Sequence, residues 1–226
     1  DKIHSSETIP KIKIAYIFNP TLSFVELLKN MLIDFGVRFN KKENSKVYLL
    51  ESLNKFLIKE YSENRIVATI IDESQLISIE TLEEIRLLTN LETNNHKLIQ
   101  IILCGQPDFD RIINSDRLQQ LKQRINFYCH LLPLSFEEMI NYINHRMHIA
   151  GRPEPVPITE NALKLIYFYS KGIPRIVNSI CDKSMISAYA YDKSEVNVNC
   201  VVSGIQMLEG NTDRKKVYIE LFKIMI

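Results

Sequence analysis

Ile66-Val67-Ala68-Thr69-Ile70-Ile71-Asp72-Glu73 is a short β-branched run that ends in two adjacent carboxylates. A run of this length, apolar throughout, predicts a strand buried on both faces, as in parallel sheets covered by helices. The carboxylates then stand at its C-terminal end, where open α/β sheets bind ligands. Taken alone, the pattern is common, and an ordinary polar loop opening explains Asp72 and Glu73 as readily.

The flanking sequence repeats the alternation. Residues 11–18 (KIKIAYIF) predict a strand stopped by Asn19-Pro20. Residues 21–35 place Phe24, Leu27, Leu28, Met31 and Leu32 at helical spacing before Gly36, and residues 45–61 repeat a helical pattern. Downstream, residues 81–92 carry Leu82, Ile85, Leu88 and Leu91 on one helical face, and residues 98–104 (LIQIILC) predict a buried strand ending at Gly105-Gln106-Pro107. A polar helix over 108–124 and a fourth strand over 125–132 (INFYCHLL) complete the series. Strands separated by helices predict an α/β fold with a mostly parallel sheet.

From Ser135 the pattern is helical. Ser135 and Glu138 form a capping box that opens a helix through Met147, and residues 151–157 (GRPEPVP) are a proline-rich connector. Thr159 caps the next helix. Gly172-Ile173-Pro174 closes it and puts a proline in the first turn of a helix to Tyr191, and residues 196–208 form the last helix. The organisation expected is an α/β core over residues 1–134 and a helical domain over 135–226.

Composition narrows the partners. Lysines and arginines number 28 against 27 acidic residues, which argues against the one-signed field of a dedicated nucleic-acid or acidic-substrate binder. Cys104, Cys129, Cys181 and Cys200 are far apart, and three lie in apolar runs, predicting buried thiols in a reducing compartment. No apolar stretch approaches the roughly 18 to 20 residues that span a bilayer, and the charged N-terminus does not read as a signal peptide; a soluble, cytoplasmic chain is expected. His145 and His148 share a helix face without a matching carboxylate or cysteine cluster, so they are read as solvated or core histidines rather than metal ligands.

A family resemblance extends over nearly all of residues 10–205. It rests on Ile71-Asp72-Glu73-Ser74-Gln75, residues 82–93 (LEEIRLLTNLET), residues 97–107 (KLIQIILCGQP) and residues 118–125 (LQQLKQRI). Phe18-Asn19-Pro20, Pro133-Leu134-Ser135, Tyr142-Ile143-Asn144-His145-Arg146, Gly172-Ile173-Pro174-Arg175 and Cys181-Asp182 add to it. Together they resemble the AAA+ ATPases of the GspA/ExeA type, associated with assembly of bacterial secretion and pilus machinery. The resemblance implies a P-loop NTPase core followed by a small helical lid, with ATP and Mg²⁺ as ligands.

Carried over by position, it makes Asp72 the Mg²⁺ ligand of a Walker B element and Glu73 the residue that polarises the attacking water. Gln106 becomes the sensor-1 residue, with a plain turn as the alternative reading. Arg124 becomes an arginine finger acting in trans in a homo-oligomer, with Arg117 the second candidate and a surface salt bridge the alternative for either. Arg175 becomes sensor 2 on the lid helix.

One element of the family pattern is missing: no G-x-x-x-x-G-K-[ST] run occurs. The family places it upstream of residues 11–18, so residues 1–10 read as a linker after it and the chain is expected to be truncated. Its strand belongs between 98–104 and 125–132, so the sheet is expected to open there, and nucleotide binding by this chain is expected to be weak. The expected role is an ATP-driven assembly factor at the inner face of the bacterial inner membrane, working on protein partners. Two alternatives stay open: a DNA-binding AAA+ helper of the transposition or replication-initiation kind, and a non-catalytic AAA+ interaction module.

Overall fold

The computed structural model describes residues 11–210 apart from 19, 94, 95, 153, 155 and 156. The expected linker over 1–10, Asn19 and part of the proline-rich connector lie outside the described residues. The chain divides into two compact units, Asp1–Tyr128 and Cys129–Ile226.

In the first unit, β1 (Ile12–Ile17), β2 (Ile66–Ile71) and β3 (Gln100–Leu103) form a parallel sheet in the order β1-β2-β3. Helices α1 (Phe24–Asp34), α2 (Lys46–Ser62) and α3 (Ile79–Leu88) each begin at a serine, because a serine oxygen accepts an otherwise unpaired N–H of the first turn. Ser23 and Glu26 make a full capping box on α1. The apolar stripes of these helices, including Leu28, Leu32, Leu53, Leu57, Leu82 and Ile85, bury one sheet face against Ala15, Ile17, Val67 and Ile71. The outer edge of β1 is blunted where Tyr16 N–H donates to the Asp34 carboxylate at 2.9 Å.

The opposite face departs from the expectation of burial on both sides. The register pairs Ile12 with Ile66 and aligns Tyr16, Ile70 and Ile102, and on that face Ile12, Ile14, Ile66 and Ile102 are 56, 51, 41 and 46% exposed. An unbroken apolar run reports that both faces are apolar, but not what covers them. Residues 125–132 also depart from expectation: they form no strand, and Phe127, Leu131 and Leu132 are exposed. Strand structure is a pairing, and β3 has β2 as its partner among the described residues.

The polar helix expected over 108–124 is interrupted. It becomes α4 (Asp108–Ile113), a 3₁₀ turn (Asp116–Leu118) and α5 (Gln119–Lys122). Asn114 Nδ2 and Ser115 Oγ donate to the carbonyls of Asp110 and Ile112, both at 2.7 Å, which offers the backbone a local alternative to continuing the helix.

The second unit is helical: α6 (Phe136–Ile149), α7 (Glu160–Ser170), α8 (Pro174–Ala190) and α9 (Val198–Glu209). The Ser135–Glu138 capping box and the Thr159 cap form as the sequence predicts. Met139, Leu165, Ile166, Val177, Ile180 and Val201 centre its core. Between α7 and α8 the chain turns through two left-handed residues, Lys171 (φ 51°) and Gly172 (φ 73°). Leu134 N–H donates to Gly172 O at 2.9 Å, and a Cβ on Gly172 would stand 2.0 Å from Leu134 O.

Gly172→Ala is therefore expected to destabilise the second unit by about 2 to 3 kcal/mol, read as a lower urea midpoint; an unchanged midpoint would refute the close approach. In the first unit, Thr69 is fully buried on the covered face, and its Oγ1 has no hydrogen-bond partner among the described residues. Thr69→Val should raise stability by about 1 kcal/mol, and a loss of stability would show that the hydroxyl is satisfied.

Candidate functional site

At the end of β2 the chain is tied to both neighbouring strands. Asp72 N–H donates to Ile17 O at 2.9 Å, on the β1 side. On the β3 side, Cys104 N–H donates to Ile71 O and Ser74 N–H to Cys104 O, both at 2.8 Å. Between these anchors Glu73 adopts a left-handed backbone, φ 51° and ψ 39°. For a residue with a Cβ this conformation costs roughly 1 to 2 kcal/mol, so the anchors over-determine it. A 3₁₀ turn, Ser74–Leu76, follows, and the buried Ser74 hydroxyl closes back on Ile71 O at 2.9 Å.

This turn presents the two acidic side chains half-buried at the C-terminal end of the sheet. Asp72 Oδ2 accepts from the Tyr16 hydroxyl at 3.2 Å, and Asp72 Oδ1 accepts from Glu73 N–H at 2.9 Å. Burial, reinforced by the bond to Asp72, holds the Tyr16 hydroxyl protonated above its ordinary range, so it serves as a donor. Burial, and then Asp72, likewise pushes the Cys104 thiol up. Glu73 Oε2 accepts from Gln75 Nε2 and from Gln106 Nε2 at 3.2 Å. Gln106 N–H in turn donates to Gln75 Oε1 at 3.1 Å.

The structure thus brings Asp72, Glu73 and Gln106 together. It also adds two residues that the sequence reading passed over. Gln75 lies within the quoted run after Glu73, and its signal was an amide two residues beyond a carboxylate. Tyr16 lies on β1 opposite Ile70, two residues before Asp72, and only the strand register reveals it.

The contacts of Arg124 and Arg117 go to residues outside this cluster. Arg124 is exposed in the turn after α5, with its N–H donating to Leu121 O at 2.9 Å. It contributes, after Lys97, to holding the Glu92 carboxyl below its usual range. Arg117 pairs with Glu80 at 2.9 Å, both side chains largely exposed, a surface bridge of small energetic weight. Arg175 belongs to the second unit, where it is exposed in the first turn of α8. His145 and His148 are exposed on α6. Of the cysteines, Cys181 and Cys200 are buried as expected, whereas Cys104 and Cys129 are exposed, one at a strand end and one in the unpaired 125–132 segment.

Among the described residues no group of three or more His, Cys, Asp or Glu could by itself cage a metal ion. The hard oxygens of Asp72 nevertheless fit magnesium, which binds through one or two carboxylates and completes its shell with water and substrate phosphates.

Residues 3–113 match the AAA domain family. Over 178 residues, 79% of this chain, the sequence is 37% identical to General secretion pathway protein A of Aeromonas hydrophila, and the match spans 32% of that protein. Among solved structures the fold is similar to the Aeropyrum pernix ORC2 protein, with a TM-score of 0.63 and 17% identity over 91% of this chain and 55% of that one. It is also similar to Cdc6p of Pyrobaculum aerophilum, with a TM-score of 0.66 and 12% identity over 92% and 56% of the two chains. Thermotoga maritima RuvB, a Holliday junction branch migration motor, gives a TM-score of 0.51 and 13% identity over 91% and 63%. At these identities the solved structures establish the α/β AAA+ fold and nothing finer. The domain match, the sequence identity over most of the chain and the parallel sheet agree: the chain belongs to the AAA+ ATPases of the GspA/ExeA-like kind.

Proposed function

We propose that this chain is the ATP-handling AAA+ module of a secretion or cell-surface assembly protein, and that Asp72, Glu73 and Gln106 work at the reacting end of its nucleotide site. The observation that carries this reading is the meeting of Gln106 Nε2 and Glu73 Oε2 at 3.2 Å, beside Asp72 and at the C-terminal ends of adjacent parallel strands. That is where α/β sheets place ligand chemistry.

In this reading Asp72 is the Walker B carboxylate that would hold Mg²⁺, which when bound neutralises charge on the phosphates. Glu73 orients the attacking water and draws on its proton. Gln106, donor and acceptor in one amide, reports the state of the phosphate to the turn after β3. Arg124, exposed and permanently charged, suits a finger offered to a neighbouring subunit of a homo-oligomer. Arg175 suits sensor 2 on the helical domain. No G-x-x-x-x-G-K-[ST] run occurs within the 226 residues, so this stretch supplies the metal- and water-handling side of the site rather than the phosphate cradle. Similarity to General secretion pathway protein A favours protein partners of a secretion machinery. The near-neutral charge favours such partners over DNA. No helix among the described residues is long and apolar enough to cross a membrane.

The test uses a form of the protein that includes a phosphate-binding loop. Glu73→Gln should lower kcat for ATP hydrolysis by about 100-fold or more while leaving nucleotide affinity in place, and unchanged turnover would end the reading. Arg124→Ala should lower hydrolysis by about 1000-fold. Mixing Arg124→Ala with Glu73→Gln subunits should restore activity, since each supplies what the other lacks; absence of rescue would exclude action in trans. Calorimetric titration of the 226-residue chain with ATP should show no micromolar binding, and such binding would mean that other residues cradle the phosphates.

A further inference from the structure

We propose that Gln75 is the positioning residue for Glu73, coupling the orientation of its carboxylate to the turn that follows β3. The inference rests on the reading that Glu73 handles the attacking water. Gln75 sits in the 3₁₀ turn, half-buried. Its Nε2 donates to Glu73 Oε2, and its Oε1 accepts the backbone N–H of Gln106 at 3.1 Å. A single planar amide thus joins a carboxylate on one strand end to the main chain of the next. Both halves of the amide are needed: leucine offers neither donor nor acceptor, and glutamate keeps the acceptor but faces Glu73 with a second negative charge.

Two further observations show why Glu73 needs this support. Its left-handed backbone projects the side chain along a path that strand geometry alone does not set. The facing turn is also held close: a Cβ on Gly105 would lie 3.1 Å from Gln75 Oε1 and 3.0 Å from Phe109 Cβ, so the glycine permits the approach. The second amide on Glu73 Oε2 comes from Gln106. When Gln106 turns its side chain toward another acceptor, Gln75 still ties Glu73 to the backbone of that turn. A displacement of the 105–107 turn therefore reaches the carboxylate through Gln75.

The experiment has two arms. In the 226-residue chain, hydrogen exchange followed by NMR should show the Gln106 backbone amide exchanging about 10-fold faster in Gln75→Leu than in wild type, with Ile70 and Ile102 unchanged. Gln75→Glu should preserve that protection while shifting the Gln106 side-chain amide resonances, because Glu73 is driven off. In a form carrying a phosphate-binding loop, both variants should lower kcat about 10-fold at unchanged KM, and Gln75→Leu should add nothing in a Glu73→Gln background. Unchanged exchange in Gln75→Leu, or unchanged kcat in both variants, overturns the proposal. Equal hydrolysis by wild type and Glu73→Gln sinks the catalytic reading of Glu73 itself, and the exchange arm then still decides whether Gln75 holds the turn.

Discussion

Two backbone hydrogen bonds fix the site: Asp72 N–H to Ile17 O and Ser74 N–H to Cys104 O. They extend the sheet ladder one step past the last regular residue of β2, and they do so on both sides at once. The residue caught between them has no freedom to relax, which is why Glu73 stays left-handed. Everything chemically useful follows from that constraint. Asp72 is turned toward Tyr16, Glu73 toward Gln75 and Gln106, and the two carboxylates diverge instead of repelling across a shared direction. The helices matter to the site mainly as the core that keeps the three strands in register.

Much of this architecture was legible in the sequence because the signals were local. Ser135 and Thr159 announce helix starts through hydrogen bonds made within one turn, and the structure forms those bonds. The strand ending in Asp72 and Glu73 was legible for a similar reason, since a β-branched run and its stop lie side by side. What failed was what depends on a neighbour. Residues 125–132 have strand composition but no ladder, and the apolar outer face of β2 carries no sign of whether anything lies on it. The helix expected over 108–124 is interrupted for a local reason, the competition of Asn114 and Ser115 for main-chain acceptors.

The candidate site divides along the same line. Asp72 and Glu73 were readable from adjacency, whereas Gln106 took its role from the family resemblance, Gly-Gln-Pro alone reading as a plain turn. Tyr16 was not readable, because a hydroxyl 56 positions away in the chain reaches Asp72 only after β1 and β2 pair in register. Gln75 acquires its role only in the fold, because its bond to Gln106 crosses from one strand end to the next. Resemblance supplied Arg124 and Arg175 with roles in which a second subunit or a second domain takes part, and residue chemistry alone would have left both as exposed cations.

The left-handed backbone at position 73 also shapes which replacements are informative. Alanine removes the carboxylate but keeps a Cβ in a disfavoured conformation, so its phenotype mixes lost chemistry with residual strain. Glycine relieves the strain while deleting the side chain, and could raise stability as it abolishes function. Aspartate tolerates the conformation and keeps the charge, yet is one methylene short of Gln75. Position 73 is therefore filtered twice, once by the main chain and once by reach, and its neutral drift should be narrower than that of Asp72, whose backbone is ordinary.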